Sequence, residues 1–585
     1  MKICFHAYSS GTYSIHFNKS GGTKMRKINK LIAGALSLAA IVSTASCNSG
    51  SGSTGGGREP SAAGTDAAST TTAATTVFAS ETYDTNAEVQ GAVANLEVDD
   101  TLNPTQKLVF MGNWTIDNTL PAVELFKAKY GTPTEISEAY KSYLNEKNED
   151  FVVVSDVVDY QARYDKLGTA ISAGLAPDIF PFENDIFPLP AYKNMFQSID
   201  DIIDMSGSEW DGWRELSDQY TWAGKHYLAP CEFYPAQVLY YRRSVIEEAG
   251  LQDPYELFLN GEWTWDAFLD MADKFQQTGE NKYVCDGWYI QSLIFSTTGV
   301  PIIGMKDGRI VNNLYDANVE RAAEVIAKLC AENYRYPLVE NNWSVNEKAW
   351  VNGDTLFFDD GFWFYQGNGH KYCEKMGWDY DEVFFVPCPK DPKADKYYHA
   401  YKVFGYALCS GSTNIDSYKA WIQCNILVLA DEDVQAAARA QQMENEKWTE
   451  TQMAFKEQLY SVKDTPLTPS YDFRTGIDTD NAKSDGTAPI DHIVKEPYND
   501  TANTFSGARG EYNNVIQASV DELNAALDKL EASSPCVSKA SEPFLVFNAA
   551  DTFSLFKAVF RGTLNPYQNI ENLSANTIFR TKFSI

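Results

Sequence analysis

Residues 224–268, GKHYLAPCEFYPAQVLYYRRSVIEEAGLQDPYELFLNGEWTWDAF, hold a polar turn, an apolar strand, a helix closed by glycine and the start of a second helix. Val238–Tyr241 joins a β-branched residue to leucine and two tyrosines, the composition of a buried strand. The spacing predicts a helix from Val245 to Ala249. Ser244 would cap it, and Gly250 would end it by taking the left-handed backbone a helix terminus needs. Thr264 is placed to cap the next helix, with Asp266 in the first turn where the helix dipole favours an anion. Glu232 and Tyr234 fall in the loop before the strand.

Upstream, the pattern alternates. Lys107–Met111 (KLVFM) reads as a strand. A helix follows, capped by Asn118 or Thr119, with Pro121 near its start and Gly131 at its end. Phe151–Val154 (FVVV) is the second strand. Tyr160, Tyr164, Leu167 and Ile171 lie along one face of a second helix, which Gly174 ends. Pro177-Asp178 turns the chain into a third strand, Ile179–Phe182. This β-α-β-α-β order predicts a parallel sheet flanked by helices. Downstream, Asp316–Glu332 is an amphipathic helix, Ser417–Tyr460 is rich in helix, Thr465–Pro497 reads as loop, and Asn513–Leu530 is a final helix.

At 585 residues the chain is long enough for two or more lobes. Its formal charge is −31. Residues 1–47 hold six Lys and Arg and no acid, so the remainder, with 42 basic and 79 acidic residues, carries −37. That balance argues against a nucleic-acid partner, because phosphate binding needs a basic face. The ten cysteines are scattered without a CxxC pair and read as buried thiols, except Cys47.

Met25 opens a segment with Arg26, Lys27 and Lys30, then an apolar run from Leu31 to Val42, then small residues leading to Cys47. The run is too short to span a bilayer. The segment resembles a bacterial lipoprotein signal peptide at 25–46, with Cys47 the lipid-modified residue; Thr44 stands where that pattern usually has leucine. Residues 1–24 then read as a mis-assigned extension. Residues 47–103 begin with a tract of Gly, Ser, Thr and Ala and read as a flexible lipid-anchored linker. This arrangement implies a location on the outer face of the bacterial cell membrane.

Several motifs, in order, carry a further resemblance. They are GLAPDIFPFEND (174–185), KNMFQSIDDI (193–202), TWAGKHYLAP (221–230), LYYRRSVIEEAGL, EWTWDAF, VNGDTLFFDDGFW (351–363), VFFVPCPKD and VFGYALCSGSTN. Together they resemble the extracellular solute-binding protein family 1, the sugar-binding lipoproteins of ABC importers. The resemblance implies an α/β, two-lobed periplasmic-binding-protein-like fold of type II, each lobe a mostly parallel sheet flanked by helices, joined by hinge strands. It suggests residues 104–236 with 403–465 as lobe 1 and 237–402 with 466–535 as lobe 2. The Phe-rich tail, 536–585, departs from the pattern.

The same resemblance implies a monomeric receptor that captures a carbohydrate in the cleft and passes it to membrane permease subunits, without cofactor, metal or catalysis. Sugars present apolar C–H faces and a rim of hydroxyls, so their sites combine aromatic rings with polar side chains. Candidates lie in loops at strand ends: Asn113 and Trp114 after the first strand, and Glu183, Asn184 and Asp185 after the third. Glu232 and Tyr234 lie at the lobe crossing. Trp288 and Tyr289 lie in DGWYIQS, and Asp360 and Trp363, with Asp359, in FFDDGFW. Arg509 lies between two glycines. Glu232 and Tyr234 are expected at the cleft floor. Trp114 and Trp363 are expected to approach each other only on closure. Two other readings stay open, a surface glycoside hydrolase and a glycan-capture lipoprotein without a transporter. The chain has no HExxH, GxSxG or Walker A motif to favour zinc, serine or nucleotide chemistry.

Overall fold

A computed structural model of the protein describes residues 87–183, 187–337, 344–477 and 488–533. The signal segment, Cys47, Asn184, Asp185 and the tail from 536 lie outside the described residues, as does the side chain of Glu183. The elements that frame the site are α1 (Ala87–Val93), β1 (Leu108–Gly112), α2 (Pro121–Tyr130), β2 (Val153–Val157), α3 (Arg163–Ser172) and β3 (Ile179–Glu183). Next come β4 (Pro230–Pro235), β5 (Val238–Arg242), α4 (Trp265–Gln276), β6 (Tyr283–Gly287), α5 (Ile290–Ser296), α6 (Ala317–Ala331), β7 (Thr355–Asp360) and β8 (Val383–Val386). The chain continues through β9 (Tyr398–Leu408), α7 (Ile415–Ala430), α8 (Glu432–Glu446), α9 (Glu450–Tyr460), β10 (Thr468–Ser470) and α10 (Phe505–Ser533).

The strands form two main sheets. In the first, β1 pairs in parallel with β2 and β3, as the alternating pattern predicts. The long β9 closes this sheet by running antiparallel to β3 and β4, with β10 parallel on it. The second sheet has the order β8-β5-β7-β6, with β7 parallel to β6 and antiparallel to β5. Both are flanked by helices, so the protein has the mixed α/β, two-sheet architecture expected. Only Ala236 and Gln237 separate β4 of the first sheet from β5 of the second. The Ala236 N–H donates to the Ala400 carbonyl at 2.9 Å, which fastens this crossing to the strand by which the chain returns.

The core explains the strand choices. Val238, Leu239, Tyr240 and Tyr241 are all fully buried. Burying such side chains contributes about 1.5–3 kcal/mol each. Among the described residues, the seven cysteines are buried free thiols, as their spacing suggested. None of the described helices is long and apolar enough to cross a membrane.

Local details differ from the sequence reading. The helix after β5 spans Arg243–Glu248, so Ser244 lies inside its first turn rather than capping it. Its hydroxyl and N–H both go to the Glu382 carboxylate, which also takes Arg242 Nε at 2.9 Å; a charged acceptor outcompetes the local cap. A helix at Pro254–Leu259, capped by Asp253 on the Tyr255 N–H at 2.8 Å, was not foreseen. Thr264 does cap α4, through the Ala267 N–H. Neither Asn118 nor Thr119 caps α2. The Asn118 amide instead braces Val152 and Val153, whose N–H groups it accepts at 2.9 and 3.1 Å. The stretch 87–103, read as linker, carries α1, whose Val89 and Val93 are buried in the apolar cluster that also holds Leu108 of β1 and Val153 of β2.

Candidate functional site

Parallel strands leave their carboxyl ends free of hairpins, so loops there can project side chains toward a common space. In the first sheet β1 ends at Gly112, and Asn113 and Trp114 follow. Asn113 is buried, and its Oδ1 has no hydrogen-bond partner among the described residues. The Trp114 ring is half-buried, 5.3 Å from the Phe110 ring and 5.9 Å from that of Phe404. Phe404 is the residue on β9 in register with both Glu183 on β3 and Glu232 on β4. The pairing therefore gathers the backbones of 183 and 232 beside Trp114.

Glu232 and Tyr234 lie within strand β4, not in a loop as expected. Prolines at both ends of that strand weaken the local signal, but β9 supplies its hydrogen bonds from more than 160 residues away. Glu232 combines two properties that rarely coincide. Its side chain is open to solvent and makes no hydrogen bond with the described residues, yet desolvation by the surrounding protein pushes its carboxyl up to about 7. The exposed carboxyl is thus crowded by neighbouring protein atoms, with Lys456 close enough to act on it. Lys456 on α9, itself nearly buried, opposes the shift. Beside Glu232, the Tyr234 ring stacks on Tyr460, with centroids 5.5 Å apart and planes at 20°.

Tyr460 also links the two sheets. Its ring lies 5.3 Å from that of Phe362, in the loop after β7. That loop carries Asp360 and Trp363. Asp360 is half-buried; its Oδ1 accepts the Gly361 N–H at 2.8 Å and its carboxyl also takes a hydrogen bond from Trp363. Burial still pushes it up to about 7. The Trp363 ring covers Gly361 so closely that a side chain there would collide with it, at 2.0 Å. Asp359 is fully buried and accepts the Tyr289 N–H at 2.6 Å, which pins the turn between β6 and α5. Burial drives its carboxyl well above the usual range, and its Oδ2 has no partner among the described residues. On that turn Trp288 is 45% exposed and Tyr289 is half-buried.

The structure thus brings together Trp114, Glu232, Tyr234, Asp360 and Trp363 around the crossing, with Trp288 and Tyr289 on the same end of the second sheet. Arg509 does not share their partners. It donates to the Leu314 carbonyl and to Glu320 on α6, and it lies over the rings of Tyr315 and Phe505. Its guanidinium ties α10 to α6. Sequence reasoning missed Lys456 and Tyr460. Both sit on one face of α9 at a spacing of four, a pattern that by itself looks like ordinary helix surface. Among the described residues no group of three His, Cys, Asp or Glu is placed to hold a metal ion.

Residues 138–391 match the family of bacterial extracellular solute-binding proteins. No curated protein matches the chain. Among solved structures, the chain is similar to an ABC substrate-binding protein from Listeria monocytogenes in complex with cycloalternan, at 13% identity and TM-score 0.48, over 73% of this chain and 100% of that one. It is similar to the GacH receptor of Streptomyces glaucescens, solved unliganded and with acarbose, at 13% identity and TM-score 0.47, over 73% and 100%. It is also similar to a Thermus thermophilus maltotriose-binding protein bound with maltotriose, at 14% identity and TM-score 0.43, over 72% and 99%.

Proposed function

Starting from the match to the bacterial extracellular solute-binding proteins, we propose that this protein is the extracytoplasmic receptor of an ABC importer, held to the membrane through Cys47, and that it captures a carbohydrate, an oligosaccharide, between its two sheets. The observation that carries this reading is the combination at the crossing: an exposed Glu232 side chain with no hydrogen bond to the described residues, beside the stacked Tyr234 and Tyr460 rings. Rings supply a platform for the apolar face of a sugar, and carboxylates accept from its hydroxyls. Lobe closure would then bring Trp114 and Trp363 onto the ligand from opposite sides, so that ligand stabilises the closed form and the permease meets a loaded receptor.

Titration of the purified protein with a panel of neutral and charged oligosaccharides tests the reading. A ligand at 100 times its Kd stabilises by about 2.7 kcal/mol, which is a readily measured rise in thermal midpoint. No rise across a broad panel contradicts the carbohydrate assignment. One observation favours a second reading, glycan hydrolysis: two carboxyls, Glu232 and Asp360, are held near 7, where one could act as an acid. Incubation with a bound glycan distinguishes the two. A receptor returns the glycan intact, and a hydrolase releases fragments.

A further inference from the structure

The polar groups left open at the crossing accept hydrogen bonds and carry negative charge. The Glu232 side chain is exposed, lies two residues from Tyr234 on the same strand, and has no hydrogen-bond partner among the described residues. Asn113 Oδ1, on a side chain only 7% exposed, is an unpartnered acceptor just beyond the end of β1. The cation nearest Glu232 is already committed. Lys456 Nζ donates to Gln442 at 2.8 Å and lies 5.4 and 5.1 Å from the ring centroids of Trp448 and Tyr460. Glu446, nearly buried on α8, acts on the same ammonium, and Asp360 faces the crossing from the second sheet. Glu446 already accepts from Trp448 and Gln366, and Asp360 from Gly361 and Trp363, which leaves Glu232 as the carboxyl without a hydrogen-bond partner beside an engaged ammonium.

We propose that this site selects a cationic carbohydrate, an oligosaccharide bearing an ammonium group, with Glu232 as the residue that reads the charge against the Tyr234–Tyr460 platform. The inference rests on the carbohydrate reading above and narrows its ligand class. A neutral sugar can satisfy the open acceptors with hydroxyls, but it displaces water from Glu232 without supplying a counter-charge. A charged group without compensation in an enclosed site is costly. An ammonium supplies the counter-charge, several N–H donors, and attraction to the adjacent Tyr234 ring. The −37 carried by the chain beyond residue 47 draws such a ligand toward the protein over distance.

The test uses matched pairs of trisaccharides in gluco, galacto and manno configuration. One member of each pair ends in an aminoethyl group, whose primary ammonium keeps its charge and its N–H donors at the pH used, and the other in the N-acetylated form of the same group. Binding is measured calorimetrically at pH 7.5 for the native protein and for Glu232→Gln, which keeps the shape and removes the charge. The cationic member of at least one pair should bind about tenfold or more tighter than its neutral partner, the scale of one charge-assisted contact. The advantage should shrink with added salt, and Glu232→Gln should narrow it to about twofold or less. Equal or tighter binding of the neutral members overturns charge selection and leaves the carbohydrate reading standing. A cation preference that survives Glu232→Gln overturns the role of Glu232. No binding by any pair overturns both readings.

Discussion

Glu232 on the first sheet and Asp359 on the second are both strand carboxyls beside the crossing, and burial pushes both upward. Their surroundings are opposite. Asp359 is fully buried and accepts backbone N–H groups from Tyr289 and Ile290, so it fixes the turn that presents Trp288. The Glu232 side chain fixes nothing; it is exposed and makes no hydrogen bond with the described residues. A raised carboxyl is therefore not a functional mark by itself. The mark is a raised carboxyl that the fold leaves unused.

The strongest way to break this comparison is to remove Asp359. Asp359→Ala orphans two buried N–H groups and leaves a void, and should cost about 2–4 kcal/mol in urea denaturation. Asp359→Asn keeps a carbonyl acceptor and should cost about half as much or less. Equal losses in the two variants would place the stability in packing rather than in the hydrogen bonds. Next in size is α1. Val89→Ala truncates a fully buried side chain and should cost about 1–2 kcal/mol, showing that residues read as linker belong to the folded lobe.

Glu232 and Asp360 predict a pH effect with a definite sign. Each has a folded value near 7, above the ordinary value of its carboxyl, so folding favours the protonated form. Their contribution is fully present below the ordinary carboxylate range and is lost as pH rises through about 7. The unliganded protein should have a higher thermal midpoint at pH 5.5 than at pH 8 from these two groups, and Glu232→Gln should reduce that difference. An unchanged difference in the variant would remove Glu232 from the account. The smallest effect on stability is at Trp288. Its exposed ring should be replaceable by alanine within about 0.5 kcal/mol, while glycan affinity falls by about 0.5–1.5 kcal/mol if the ring stacks on the ligand.

Elements set by neighbours in sequence were legible. Gly131 ends α2 with φ 78°, and Thr264 caps α4, because both interactions close within a few residues. The two-sheet fold was legible only through the family resemblance that the motifs carry. What failed was set at long range. Ser244 looked like a cap because nothing nearby reveals Glu382. Asp178 looked like part of a turn. It also accepts the Val109 N–H at 2.9 Å and the Ser412 hydroxyl at 2.6 Å, bonds that lock β1 to the chain after β9. The site was half legible for the same reason. Trp114, Glu232 and Trp363 lie near recognisable motifs, whereas Lys456 and Tyr460 come from a helix more than 200 residues after Glu232, and only the fold brings them to it. Val89, Val93 and Leu96 carried a readable helical spacing, but the low-complexity tract before them concealed it.

The central claim is that one ligand is held by both sheets at the crossing. Hydrogen–deuterium exchange with and without a bound oligosaccharide addresses it directly. The account predicts protection on binding at 112–114 and 230–237 in the first sheet and, at the same ligand concentration, at 287–290 and 360–363 in the second. Protection confined to one sheet, or centred on Arg509 and α10, would contradict it.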